Sequence, residues 1–214
     1  MKTERTRVKI CGIREPAHAR VAADAGADAV GLVFYRPSPR FLTDEQASGI
    51  AASLPPFVST VALFVNEDAA VIERILAAAR IDLLQFHGDE TPEFCARFGR
   101  PFLRVVRMEK GVDLLEYARR FSAARALLLD AHVPGQPGGT GNTFDWAAIP
   151  ENLPIPLILS GGLDARNVGA AMRAVKPWAV DVSSGVESGR GVKDPAKIVE
   201  FIRKVRHEDA GLSA

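Results

Sequence analysis

About eight short apolar runs, each followed by a segment of helical period, limit what this chain can fold into. The runs are Val8–Cys11, Ala29–Phe34, Val58–Val65, Leu83–Phe86, Phe102–Val106, Ala126–Asp130, Ile155–Leu159 and Ala179–Val182. Helices are expected at Glu15–Gly26, Asp44–Ser53, Asp68–Ala79, Thr91–Phe98, Leu114–Phe121, near Phe144–Ile149, at Asp164–Ala174 and at Asp194–Arg206, with a frayed tail from His207 to Ala214. Gly26 reads as a helix stop, and Thr91 before Pro92 as an N-cap. Strands that are mostly aliphatic on both faces belong in a buried parallel sheet. Strict β-then-α order to a count of eight predicts an α/β chain, a (β/α)₈ TIM barrel. An open doubly wound sheet is the rival. It would carry a glycine-rich fingerprint after its first strand, which Gly12-Ile13-Arg14 does not supply. No linker or shift in composition divides the 214 residues, so one domain over 1–214 is expected.

Net charge is +1, which gives no draw toward nucleic acid or an anionic membrane surface. No apolar run is long enough to cross a bilayer, and Met1–Arg7 lacks a signal-peptide core. With no targeting segment read, a reduced cytoplasmic setting is expected, in which Cys11 and Cys95 stay thiols.

In such a barrel, chemistry collects at the C-terminal ends of the strands. Cys11 ends the first run and shares a face with Lys9; Asp130 ends the sixth and shares one with Leu128. On its residues alone Cys11 is either a small buried hydrophobe or a base or nucleophile at the mouth. Asp130, after three leucines, is either a cap or a carboxyl group placed for proton transfer. Ser160-Gly161-Gly162-Leu163-Asp164 and Asp181-Val182-Ser183-Ser184-Gly185-Val186-Glu187 follow the seventh and eighth runs, where these barrels hold phosphate. Either loop alone is as readily an ordinary turn, but the two together in this order point to an anion. Arg36-Pro37-Ser38-Pro39-Arg40 is a stiff loop that either holds a carboxylate or is simply solvated. Gln85 and His87 share a face at the end of the fourth run; His87 is a ligand, an acid or a structural histidine. Cys95, between Phe94 and Phe98, reads as packing. Pro134–Gly141 is a lid or a flexible connector. No His or Cys pair stands at metal-ligand spacing, so no metal is expected.

Taken in order, Lys9-Ile10-Cys11-Gly12, Ser38-Pro39-Arg40, Gln85-Phe86-His87-Gly88-Asp89-Glu90, Asp130 with Gly138-Gly139-Thr140-Gly141, Ser160-Gly161-Gly162-Leu163 and Asp181–Glu187 resemble the phosphoribosylanthranilate isomerase family of tryptophan biosynthesis. The resemblance runs from Lys9 to about Val205. It implies an Amadori rearrangement of N-(5-phosphoribosyl)anthranilate, a phosphorylated sugar, with Asp130 as general acid on the ring oxygen and Cys11, as thiolate, taking the proton from sugar C2. It further implies that Arg40 meets the anthranilate carboxylate and that Gly161, Gly162, Ser183 and Ser184 hold the phosphate. Gln85, His87 and Gly185 complete the substrate-facing set. The chemistry is redox-neutral and needs no cofactor, and such barrels occur as monomers or homodimers. Cys11 must then be helped to ionise, while Asp130 must stay protonated, which burial against leucines would favour.

The related isomerase family of histidine biosynthesis carries a carboxylate where this chain has Cys11. A metal-dependent epimerase would need histidines at several strand ends. A sugar-phosphate sensor would need neither Cys11 nor Asp130. Lys9 and Asp181 lie on the first and eighth runs, which become neighbours when a barrel closes. Either they pair beneath the site, placing positive charge near Cys11 and favouring its thiolate, or strand register sends one outward.

Overall fold

The protein is described from a computed structural model that covers residues 5–109, 111–130, 149–150 and 152–212. Eight parallel strands close into a barrel: β1 (Arg7–Cys11), β2 (Ala29–Val33), β3 (Ser59–Phe64), β4 (Leu83–Phe86), β5 (Phe102–Arg107), β6 (Ala126–Asp130), β7 (Leu157–Ser160) and β8 (Ala179–Val182). Each pairs with the next, and β8 returns to β1 with Lys9 opposite Asp181. Helices α1 (Pro16–Ala25), α2 (Asp44–Ser53), α3 (Ala69–Ala78), α4 (Pro92–Ala96) and α5 (Leu114–Arg120) follow the first five strands, α6 (Val168–Val175) follows β7 and α7 (Pro195–Leu212) follows β8. The helix expected near Phe144–Ile149 and the loop Pro134–Gly141 lie outside the described residues, apart from Ile149.

Alternation along the strands builds two apolar layers. Outward residues such as Ile10, Leu32, Phe64, Leu84 and Phe86 are fully buried against the helices. Phe34, Phe64, Phe86, Phe94, Phe98 and Phe102 form a chain of aromatic contacts, with centroids 5.3–6.2 Å apart. Each such side chain is worth roughly 1.5–3 kcal/mol on burial. Inward residues Val61, Leu103, Val105, Ala126, Leu128, Ile158 and Ala179 fill the barrel itself. The helix signals act as read. Gly26 stops α1 at φ 99°, and the Thr91 hydroxyl accepts from the Phe94 N–H.

Four local features depart from expectation. Strand β7 begins at Leu157 rather than Ile155, since Pro156 has no N–H for the ladder. Helix α6 begins at Val168, because the Asp164 carboxylate accepts from the Arg166 and Asn167 N–H groups and holds a turn ahead of it. The tail is helical to Leu212: Asp209 accepts from the Thr6 N–H and hydroxyl at 2.8 and 2.7 Å, and Arg173 pairs with Glu208 at 2.5 Å. A short hairpin, β9 (Glu187–Gly189) and β10 (Val192–Lys193), stands between β8 and α7.

Candidate active site

The C-terminal mouth of the barrel opens into a cavity of about 1130 Å³. Cys11, Arg40, Gln85, His87, Asp130, Gly161, Gly162, Ser183 and Ser184 all line it. Gly185 is the exception: a Cβ there would lie 1.9 Å from the Leu163 carbonyl oxygen, so this glycine lets the loop after β8 seat directly on the loop after β7. Gly161 and Gly162 have φ of 87° and 65°, which favours glycine at both. The loop after β8 turns at once into a single 3₁₀ turn, Ser184–Val186.

Cys11 points inward from the end of β1, packed against Val33, Leu63 and Val65. Room for it comes from Gly31 on β2, where a Cβ would sit 2.7 Å from the Cys11 sulfur. Below it, Lys9 Nζ meets Asp181 Oδ1 at 2.9 Å with both side chains about 5% exposed, and Ser160 Oγ donates to the other Asp181 oxygen at 3.2 Å. The buried pair therefore forms. It places a cation beside the thiol, and Lys9 favours the thiolate as expected, but burial of the thiol outweighs it. Burial pushes the Cys11 thiol up, and Lys9 and Lys193 offset this only in part because Asp181 opposes them. Burial pulls Lys9 down, but Asp181 and Cys11 together outweigh it and hold the ammonium above its ordinary range.

Asp130 ends β6 with its side chain 20% exposed, and His87 Nε2 lies 3.3 Å from its Oδ2. Its strand partner is Arg107. The surroundings of the carboxyl group are thus polar and the leucines of β6 lie below it, contrary to the expected burial among them. Gln85 is 1% exposed, with no hydrogen-bond partner for Oε1 among the described residues. His87 is held from behind. Its carbonyl accepts from Arg107, and the next turn is pinned by Glu90, which accepts from the Gly88 N–H and pairs with buried Arg104 at 2.9 Å.

Arg40 is fixed by Glu187, which accepts from Nε at 2.7 Å and from Nη2 at 2.8 Å. Glu187 also accepts from Lys193 Nζ at 2.8 Å and the Gly191 N–H at 3.1 Å. Burial alone would raise its pKa, but these donors overcome that and hold it at about 2. Burial holds Lys193 below the ordinary lysine range despite Glu187, and the nearby Arg40 cation acts in the same direction.

A family model described as N-(5'phosphoribosyl)anthranilate (PRA) isomerase matches residues 8–204. The chain belongs to the N-(5'-phosphoribosyl)anthranilate isomerase family. A relative of that name from Thiobacillus denitrificans is 54% identical over 200 residues, covering 94% of this chain and 98% of the relative. The crystal structure of phosphoribosyl anthranilate isomerase from Thermotoga maritima superposes with a TM-score of 0.84 at 39% identity, covering 94% of this chain and 99% of the other. A further solved phosphoribosyl anthranilate isomerase, in complex with reduced 1-(o-carboxyphenylamino)-1-deoxyribulose 5-phosphate, matches with a TM-score of 0.80 at 37% identity, covering 94% and 99%.

The motif resemblance and the family match agree. Two members of this phosphoribosylanthranilate isomerase pocket escaped the motif reading, Arg107 and Glu187 as the anchor of Arg40, and so did Lys193, which holds Glu187 from behind the pocket wall. Glu187 closes a motif that was read only for phosphate. The glycines at 189 and 191 between Glu187 and Lys193 were the available sign of a hairpin.

Proposed function

We propose that this chain catalyses the Amadori rearrangement of N-(5'-phosphoribosyl)anthranilate to 1-(o-carboxyphenylamino)-1-deoxyribulose 5-phosphate. The observation that carries this reading is a thiol on β1 and a carboxyl group on β6 facing one cavity, with two glycine–serine loops on its rim. Asp130 protonates the furanose ring oxygen, and the ring opens to a Schiff base. Cys11, as thiolate, removes the proton from C2, and the resulting enolamine tautomerises to the ketone. His87, with Nε2 3.3 Å from Oδ2, orients Asp130. The loops at Gly161–Gly162 and Ser183–Ser184 receive the phosphate. Arg40 receives the aryl carboxylate, and Val33, Leu63 and Val65 offer the aromatic ring an apolar wall beside Cys11. The rearrangement is redox-neutral and both proton carriers are side chains, so it requires no cofactor.

Turnover of N-(5'-phosphoribosyl)anthranilate by the purified protein is the test. Cys11→Ser and Asp130→Asn should each lower kcat by about 10²–10⁴ while binding of a reduced product analogue persists. Near-normal turnover in either variant contradicts the assigned role, and no turnover in the parent protein contradicts the function.

A further inference from the structure

Arg40 sits on a loop outside the strands, yet it is held as firmly as a core residue. Its guanidinium meets Glu187 in a two-point, side-on grip, and the Glu187 side chain is 5% exposed. The stem is confined as well. A Cβ on Gly12 would lie 2.4 Å from Arg40 Cδ, so the arginine lies flush on the turn after β1. The hairpin that carries Glu187 abuts the same loop: a Cβ on Gly191 would lie 2.7 Å from the Pro39 carbonyl oxygen. Glu187 is anchored from the other side by Lys193 Nζ at 2.8 Å and by the Gly191 N–H. One buried carboxylate therefore binds two cations and joins the loop after β2 to the hairpin after β8.

A guanidinium has five N–H donors. The bonds to Glu187 use one on Nε and one on Nη2, which leaves both Nη1 donors and the second Nη2 donor as a defined edge. An unheld arginine would lose rotamer entropy on meeting its ligand, whereas a clamped one has lost it already.

We propose that Glu187 is a positioning residue: it fixes the Arg40 guanidinium so that its remaining donor edge meets the aryl carboxylate, and thereby sets the preference for a carboxylate-bearing arylamine over an uncharged one. This rests on the reading above that Arg40 receives that carboxylate. The clamp acts on selectivity at the aryl end; Lys193 also donates to the Ser183 carbonyl oxygen at 2.8 Å, so the phenyl ligand reports any effect that reaches the phosphate loop.

The test uses the full chain and two unreactive ligands: a reduced product analogue with a 2-carboxyphenyl group, and the same compound with a plain phenyl group. Affinities are measured by calorimetry for the parent, Glu187→Gln and Arg40→Ala. Losing the charge-assisted grip should weaken the carboxylate ligand roughly 10–100-fold in Glu187→Gln while the phenyl ligand changes less than about threefold. Equal weakening of both ligands, or of neither, overturns the proposal. Arg40→Ala separates the two readings. If it weakens both ligands alike, the assignment of Arg40 to the carboxylate has failed. If it is selective and Glu187→Gln is not, only the positioning role has failed. Should the orphaned Lys193 charge prevent folding, Glu187→Asp keeps the counter-charge for Lys193 while shortening the reach to Arg40, and is read in the same way.

Discussion

Cys11 has neighbours that pull its acidity in opposite directions. Lys9 and Lys193 favour the thiolate, whereas burial and Asp181 oppose it and prevail. The base is therefore a minority species at neutral pH, and its population grows as pH rises through the displaced pKa. The expected outcome is an alkylation rate by iodoacetamide that climbs with pH beyond the ordinary thiol midpoint of about 8.5. Cys95 does not confuse the measurement. It is fully buried and its thiol is pushed up to about 12, chiefly by burial. A reactivity plateau already reached near pH 7 would show that the cations win. The motif reading found Cys11 and its inward direction, because alternation from Lys9 fixes both. It placed the Lys9 cation beside the thiol with the right sign of effect, but not the burial that outweighs it, because periodicity alone cannot weigh the two.

The strands, the first five helices and the two rim loops were legible because apolar period and glycine placement are local properties of the chain. The hairpin β9–β10 was not, because it contains no apolar run and is held by charges from distant elements. Arg40 lies 147 residues before Glu187. The extension of α7 to Leu212 was missed for a similar reason, since its stability comes from Thr6 and Arg173. The contact between the two rim loops was equally hidden, and it bears on function. Gly185→Ala would place a methyl group against the backbone oxygen of Leu163, which cannot yield without moving the loop. The expected outcome is a raised KM together with weaker binding of inorganic phosphate, while the kcat of bound substrate falls less. Unchanged phosphate affinity would mean that the two loops do not form one receptor.

At the scale of the whole molecule, the Lys9–Asp181 pair spans 172 residues of sequence and stitches β1 to β8. Lys9→Met leaves Asp181 with Ser160 but without its counter-charge. Orphaning a buried charge should cost about 3–5 kcal/mol, read as a lower urea midpoint at unchanged slope. A loss below about 1 kcal/mol would mean that water or another cation reaches Asp181. The same stitch makes activity a clock for refolding. Helices and neighbouring strands can form from contacts close in sequence, but the floor of the catalytic pocket is assembled only when the first and last strands meet. Contacts of such long range form late. Catalytic competence should therefore lag the recovery of secondary structure, and the interval between them measures how long an open, inactive sheet survives before its edges join.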